Sequence, residues 1–147
     1  MAFSGSSSGY KKMNNFLNSS DPGFKNNLRV LVVDDDKMVR NITMAMLRTL
    51  KVEGKEAVNG KEAVDLFIAG ENFNLVLMDR EMPVMTGLEA TKYLRGMGVR
   101  VKLVGVSACS TDKEKQDFLN AGADEFFAKP MTCAKLSALL QEVDENL

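Results

Sequence analysis

Four short runs in this chain each end at a residue suited to phosphate or metal chemistry. The run 28–33 (LRVLVV) leads into Asp34-Asp35-Asp36, and 75–78 (LVLM) into Asp79. The run 101–106 (VKLVGV) leads into Ser107, and 125–128 (EFFA) into Lys129-Pro130. Carboxylates gathered at one place repel one another unless a cation cancels their charge, and a hard divalent ion such as Mg2+ takes oxygen ligands. With that charge cancelled, a free oxygen of Asp79 can attack a phosphoryl group. The metal and Lys129 can hold the charge of the group while Ser107 donates a hydrogen bond to it. Phosphoryl transfer asks a protein mainly for such positioning and neutralisation. Each residue alone has a plainer role. An acidic run suits a helix N-terminus, an Asp after a strand caps a turn, and a lysine is usually solvated. Their coincidence at four run ends argues for one shared site.

No histidine occurs among the 147 residues. That excludes an imidazole base, a Ser-His or Cys-His pair and a histidine metal ligand. It also means that the chain cannot itself carry a phosphohistidine. Lys and Arg number 19 against 20 Asp and Glu, for a net charge of −1. Such a balance lacks the basic stripe of nucleic-acid or membrane-surface proteins, so neither is expected as a partner. Cys109 and Cys133 form neither a CxxC nor a zinc spacing and read as reduced thiols of an intracellular protein, expected in the cytoplasm, with the nucleus as a further compartment. No apolar run approaches the ~18 residues of a membrane span, and the start lacks the pattern of a signal peptide.

Residues 1–27, rich in Ser, Gly and Asn, cannot bury enough apolar area to offset their ordering entropy and are expected to form a flexible tail. One domain is expected over 28–147. Within it the runs 28–33, 52–58, 75–78, 101–106 and 125–128 read as strands. Between and after them, 37–50, 61–69, 87–97, 112–121 and 132–143 read as helices. The helical spacing puts Val39, Ile42, Met46 and Leu50 on one face, and Ala63, Val64, Phe67 and Ile68 on another. Gly122 is a helix stop, and Thr132 is an N-cap candidate. Met38, just after the acidic cluster, stands apart from methionines that sit in apolar runs. Strands each followed by a helix indicate an α/β fold, a parallel sheet with helices on both faces. The runs 28–33, 75–78 and 101–106 are continuous enough to be buried on both sides, whereas 52–58 is polar and 125–128 short. A doubly wound (βα)5 flavodoxin-like sandwich with strand order 2-1-3-4-5 places those two at the edges and the loops carrying Asp34, Asp79 and Ser107 on one rim.

Together, LRVLVVDDD (28–36), NLVLMDREMPVMTG (74–87), VGVSA (104–108) and AGADEFFAKP (121–130) resemble the receiver domain of two-component response regulators. The resemblance covers about residues 28–144. It implies Asp79 as the phosphoacceptor, with Lys129 and Ser107 assisting. It implies a Mg2+ or Mn2+ site made by Asp34, Asp35, Asp79 and the backbone carbonyl of Glu81. It also implies a switch through Ser107 and Phe126, where Phe cannot make the phenolic hydrogen bond of the tyrosine often found there. Met82-Pro83 and Gly87 match the loop that shapes the site, and the bond before Pro130 is often cis in the family. Glu81 and Cys109 fall where the family varies its phosphate lifetime.

The chain ends soon after its last helix, so a stand-alone receiver is expected. MDREMPVMTGLEAT and RGMGVRVKLVGVS resemble plant receivers, especially short type-C regulators and hybrid-kinase receivers. The favoured expectation is a relay element whose donor is a histidine-containing phosphotransfer protein or a sensor histidine kinase. Two alternatives stand beside it. One is a phosphorylation-switched module that binds an effector protein through its fourth helix, fifth strand and fifth helix. The other is a phosphohistidine phosphatase. Asn59-Gly60-Lys61-Glu62 lacks the spacing of a P-loop, and no G-x-G-x-x-G follows the first strand.

Overall fold

A computed structural model describes residues 23–147. Strands and helices alternate along it: β1 (Arg29–Val33), α1 (Lys37–Thr49), β2 (Glu53–Ala57), α2 (Gly60–Ile68), β3 (Leu75–Asp79), α3 (Gly87–Gly96), β4 (Lys102–Ser107), α4 (Asp112–Ala121), β5 (Glu125–Ala128) and α5 (Cys133–Glu145). Every strand pairing is parallel, and the sheet runs in the order 2-1-3-4-5, as expected. β1, β3 and β4 occupy the centre and are almost wholly buried, while the polar β2 and the four-residue β5 form the edges.

Side chains alternate across a strand, and this divides the core. Val30, Val32, Leu75, Leu77, Val104 and Val106 pack with Leu47 of α1 and Leu136 and Leu140 of α5. Leu31, Val33, Val76, Met78 and Leu103 pack with Val64 of α2, Leu94 of α3 and Phe118 of α4. α1 and α5 therefore cover one face, and α2, α3 and α4 the other.

Three readings need correction. Ile42 is 51% exposed, because the buried positions of α1 are Thr43 and Leu47. Thr43 tolerates that place because its hydroxyl donates to the Val39 carbonyl at 3.0 Å, a bond that satisfies a buried polar group within its own helix. Ile68, the last residue of α2, is 61% exposed, since this helix buries its first turn through Gly60, Ala63 and Val64. The third concerns the tail. Residues 1–22 lie outside the described residues, but packing reaches back past residue 28. Phe24 is 7% exposed and belongs to the core. The backbone N–H groups of Lys25 and Asn26 donate to the buried Asp144 carboxylate of α5 at 2.8 and 2.9 Å. One aromatic side chain and one carboxylate that needs donors are enough to order the segment before β1. Helix ends follow the local signals. Gly122 closes α4 at φ 114°, a left-handed conformation that suits glycine, and Thr132 caps α5 by accepting from the Lys135 N–H at 3.2 Å.

Candidate functional site

The rim at the carboxyl ends of β1, β3, β4 and β5 gathers the expected residues. Asp79 and Ser107 are the last residues of their strands, not the first of the loops beyond. Asp79 lies opposite Val106 in the β3–β4 register, so Ser107 sits one step farther out on the neighbouring strand. Lys129 follows β5 directly, and its N–H donates to the Ser107 carbonyl at 2.8 Å. Asp34 is pinned through its backbone. Its N–H donates to the Ala57 carbonyl at 3.1 Å, and its carbonyl accepts from Arg40 at 2.8 Å. Arg40 is itself held by Glu56 at 3.0 Å.

At the centre, Lys129 Nζ lies 2.8 Å from Asp34 Oδ2 and 3.0 Å from Asp79 Oδ1. Asp34, Asp35 and Asp79 each place a carboxylate oxygen within 4.8 Å of the others. Asp34 and Asp79 are buried and Asp35 is exposed. Burial and the neighbouring Asp34 charge push the Asp79 carboxyl up from an ordinary 3.8 to about 6, against the pull of Lys129. Burial alone would lower the Lys129 pKa, but hydrogen bonds and charge from Asp34 and Asp79 outweigh it and raise it. Three carboxylates against one ammonium leave two negative charges in a half-closed site when all are ionised. Clustered hard oxygens with surplus negative charge fit a small divalent cation.

Asp36 does not join the cluster. Its side chain caps α1 by accepting from the N–H groups of Met38 and Val39 at 2.9 and 3.3 Å. Its own N–H donates to Asp34 Oδ1 at 2.9 Å, which helps to orient that carboxylate. Glu81 lies in the β3–α3 loop with its carboxylate on Arg80 at 3.1 Å. Met82 is buried against the sheet. Gly87 is required by close approach, since a Cβ there would run into the Asp79 carbonyl. The Gly87 N–H donates to the Arg80 carbonyl at 2.9 Å, and a capping box between Thr86 and Glu89 starts α3 from this loop. The Lys129-Pro130 bond is cis. Phe126 is half-buried on β5, its ring centroid 5.8 Å from that of Phe118. Cys109 and Cys133 are both free thiols. Beside the carboxylates, an apolar hollow is lined by Val39 and Ile42 of α1 and by Pro130 and Met131. Met38, 71% exposed, stands at the start of the same helix.

Sequence reasoning missed three charged residues that brace this rim. Arg40 anchors the Asp34 carbonyl. Arg80 ion-pairs with Glu114 of α4 and also reaches Asp117 at 3.2 Å. Glu114 in turn approaches Ser107. The position of Arg80 next to Asp79 was the one available signal, because a loop cation beside an acidic cluster needs a partner. The partner's identity depends on how α4 packs, which no local pattern encodes.

Residues 30–141 match the family model of the response regulator receiver domain. Two-component response regulator 24 of Arabidopsis thaliana is 41% identical over 117 residues, which span 80% of this chain and 84% of the relative. Two-component response regulator ORR42 of Oryza sativa subsp. japonica is 50% identical over 99 residues, 67% of this chain and 74% of the relative. Among solved structures, the receiver domain of Ssk1 from Saccharomyces cerevisiae, co-crystallised with the histidine phosphotransfer protein Ypd1, superposes with a TM-score of 0.73. It is 28% identical, with 80% of this chain and 89% of that chain covered.

Proposed function

The chain belongs to the response regulator receiver domain family, and from that premise we propose that it accepts a phosphoryl group from a phosphohistidine donor onto Asp79. The observation that carries this reading is the double contact of Lys129 with Asp34 and Asp79, at 2.8 and 3.0 Å, inside the cluster of three carboxylates. An Asp79 oxygen attacks phosphorus, the P–O bond forms as the P–N bond breaks, and the electron pair of that bond returns to the donor imidazole. Lys129, already charged and placed at Asp79, pairs with the phosphoryl oxygens. Ser107 donates its hydroxyl to one of them. Asp34, Asp35, Asp79 and the Glu81 carbonyl are the residues that would hold Mg2+ or Mn2+. Such an ion supplies neutralisation of the carboxylates and of the transferred group.

The donor imidazole lies outside these 147 residues, which contain no histidine. A histidine phosphotransfer protein or a sensor histidine kinase is the partner of the right chemistry. The Ssk1 receiver in the Ypd1 co-crystal supports the first. The exposed Met38 and Ile42 on α1, beside the apolar hollow, offer apolar surface next to the acceptor. Among the described residues no helix is long and apolar enough to cross a membrane.

Asp79→Asn should abolish labelling from a phosphorylated phosphotransfer protein in Mg2+. Label on the variant equal in amount to the wild type would overturn the assignment. Loss of label in Asp79→Asn together with a label on the wild type that base hydrolyses, as expected of an acyl phosphate, is the supporting result.

A further inference from the structure

The phosphoryl-transfer reading leaves unused one acidic side chain that reaches into the switch region. Glu114, in the first turn of α4, is only 14% exposed at its side chain. Its Oε2 pairs with Arg80, the residue after Asp79. Its Oε1 lies 3.5 Å from Ser107 Oγ, longer than an ordinary O–H···O hydrogen bond but close enough for a small side-chain rotation to form one. Arg80 is a firm strut for this carboxylate. It also holds Asp117 at 3.2 Å and Glu81 at 3.1 Å. Burial opposes the charge of Arg80, but Asp117, Glu114 and Glu81 outweigh it and raise its pKa, so the guanidinium stays charged.

The hydroxyl of Ser107 has one proton to donate and lone pairs to accept with. The Cys109 N–H donates to Oγ at 3.2 Å and so uses a lone pair. The Glu114 carboxylate, 3.5 Å away, is a charged acceptor toward which the remaining proton can turn. A phosphoryl group on Asp79 requires that same proton. We propose that Glu114, held by Arg80, is a positioning residue that competes with the phosphoryl group for the Ser107 hydroxyl and thereby biases this receiver toward its unphosphorylated arrangement. The inference rests on the reading of Asp79 as phosphoacceptor. It adds that the switch hydroxyl has two rival acceptors, one built into α4 and one delivered by phosphorylation. A ligand or modification shifts such a two-state element only through its differential contacts.

The test is the affinity of the full chain for beryllofluoride, a phosphoryl mimic, in Mg2+. Wild type, Glu114→Ala, Ser107→Ala and the double variant form a cycle. Alanine is a good helix former, and Arg80 keeps Asp117 and Glu81, so Glu114→Ala retains its fold. Glu114→Ala should bind about two- to fivefold more tightly, the lower part of the range for one net hydrogen bond. The gain should vanish in the Ser107→Ala background. In the ligand-free Glu114→Ala protein the Cys109 amide resonance should move, because its acceptor has been released. Unchanged or weaker binding by Glu114→Ala would overturn the inference. An equal gain with Ser107 absent would also overturn it, by assigning the effect to bulk charge. Wild-type binding that Asp79→Asn leaves intact would remove the phosphoacceptor reading, and this inference with it.

Discussion

Neutralising Asp79 should stabilise the metal-free protein at neutral pH, although it removes a buried ion pair with Lys129. The Asp79 carboxyl sits at about 6 in the folded chain against an ordinary 3.8. The folded state therefore holds a proton that the unfolded state has given up across that interval. The stability associated with the protonated form is complete below 3.8 and is lost as pH rises through about 6. The difference of 2.2 corresponds to at most about 3 kcal/mol at 1.36 kcal/mol per unit, and solvent screening at the open rim reduces it to about 1–2 kcal/mol. Asp79→Asn keeps an acceptor for Lys129 and removes the titration. Urea denaturation in chelator should show Asp79→Asn more stable than wild type by about 1–2 kcal/mol at pH 7.5 relative to the same comparison at pH 4.5. Mg2+ should then favour the wild type, since an ion that binds only the folded state stabilises it by RT ln(1 + L/Kd), with L the free ion concentration. A stability difference between the two proteins that does not change with pH would refute the reasoning, because it would mean that the Asp79 charge carries no folding cost.

Three further substitutions probe the rim and the frame behind it. Asp35→Ala should weaken Mg2+ affinity, read by calorimetry, with little effect on stability, whereas Asp36→Ala should lower stability by about 1 kcal/mol through loss of the α1 cap and leave a measurable Mg2+ site. Asp144→Ala should cost about 1–2 kcal/mol in urea denaturation, since it removes the charged acceptor of the Lys25 and Asn26 N–H groups. Burial would raise the Asp144 pKa, but those donors outweigh it and lower it, so its contribution exists above the unfolded carboxylate pKa and fades as pH falls through the lowered one; an equal cost at pH 3 and pH 7 would refute this account.

Most of the fold was legible because its determinants are local and periodic. A parallel strand buried on both faces must be continuously apolar, so β1, β3 and β4 declared themselves, and the polar EGKEA of β2 could only be an edge. The gathering of Asp34, Asp79, Ser107 and Lys129 on one rim was legible for a related reason: a strand end is a fixed address in this topology. What failed was long-range or rotational. Ile42 obeyed the helical period but lost the buried face to Thr43, which satisfies its hydroxyl within the helix. Phe24 looked like tail because its surroundings are polar, yet its partners lie in the core with α5, more than a hundred residues on. Asp34, Asp35 and Asp36 are chemically identical in sequence and take three places in the structure. One is buried on Lys129, one is exposed within the carboxylate cluster, and one caps α1.

The Asp79 pKa also bears on why the site is built at a cost to the fold. Lys129 bridges two of the three clustered carboxylates and has no further charge to offer Asp35. A second lysine at the rim would relax the site, and on the proposed function it would also occupy the oxygens that a metal ion and a phosphoryl group would use. Leaving the cluster short of positive charge makes a cation a net stabiliser of the folded chain. It also raises the Asp79 carboxyl to about 6, and on the proposed function a bound metal would favour its charged form. The folding penalty and the readiness to react are then two consequences of one arrangement. Asp79→Asn is the variant that should relieve the first while abolishing the second.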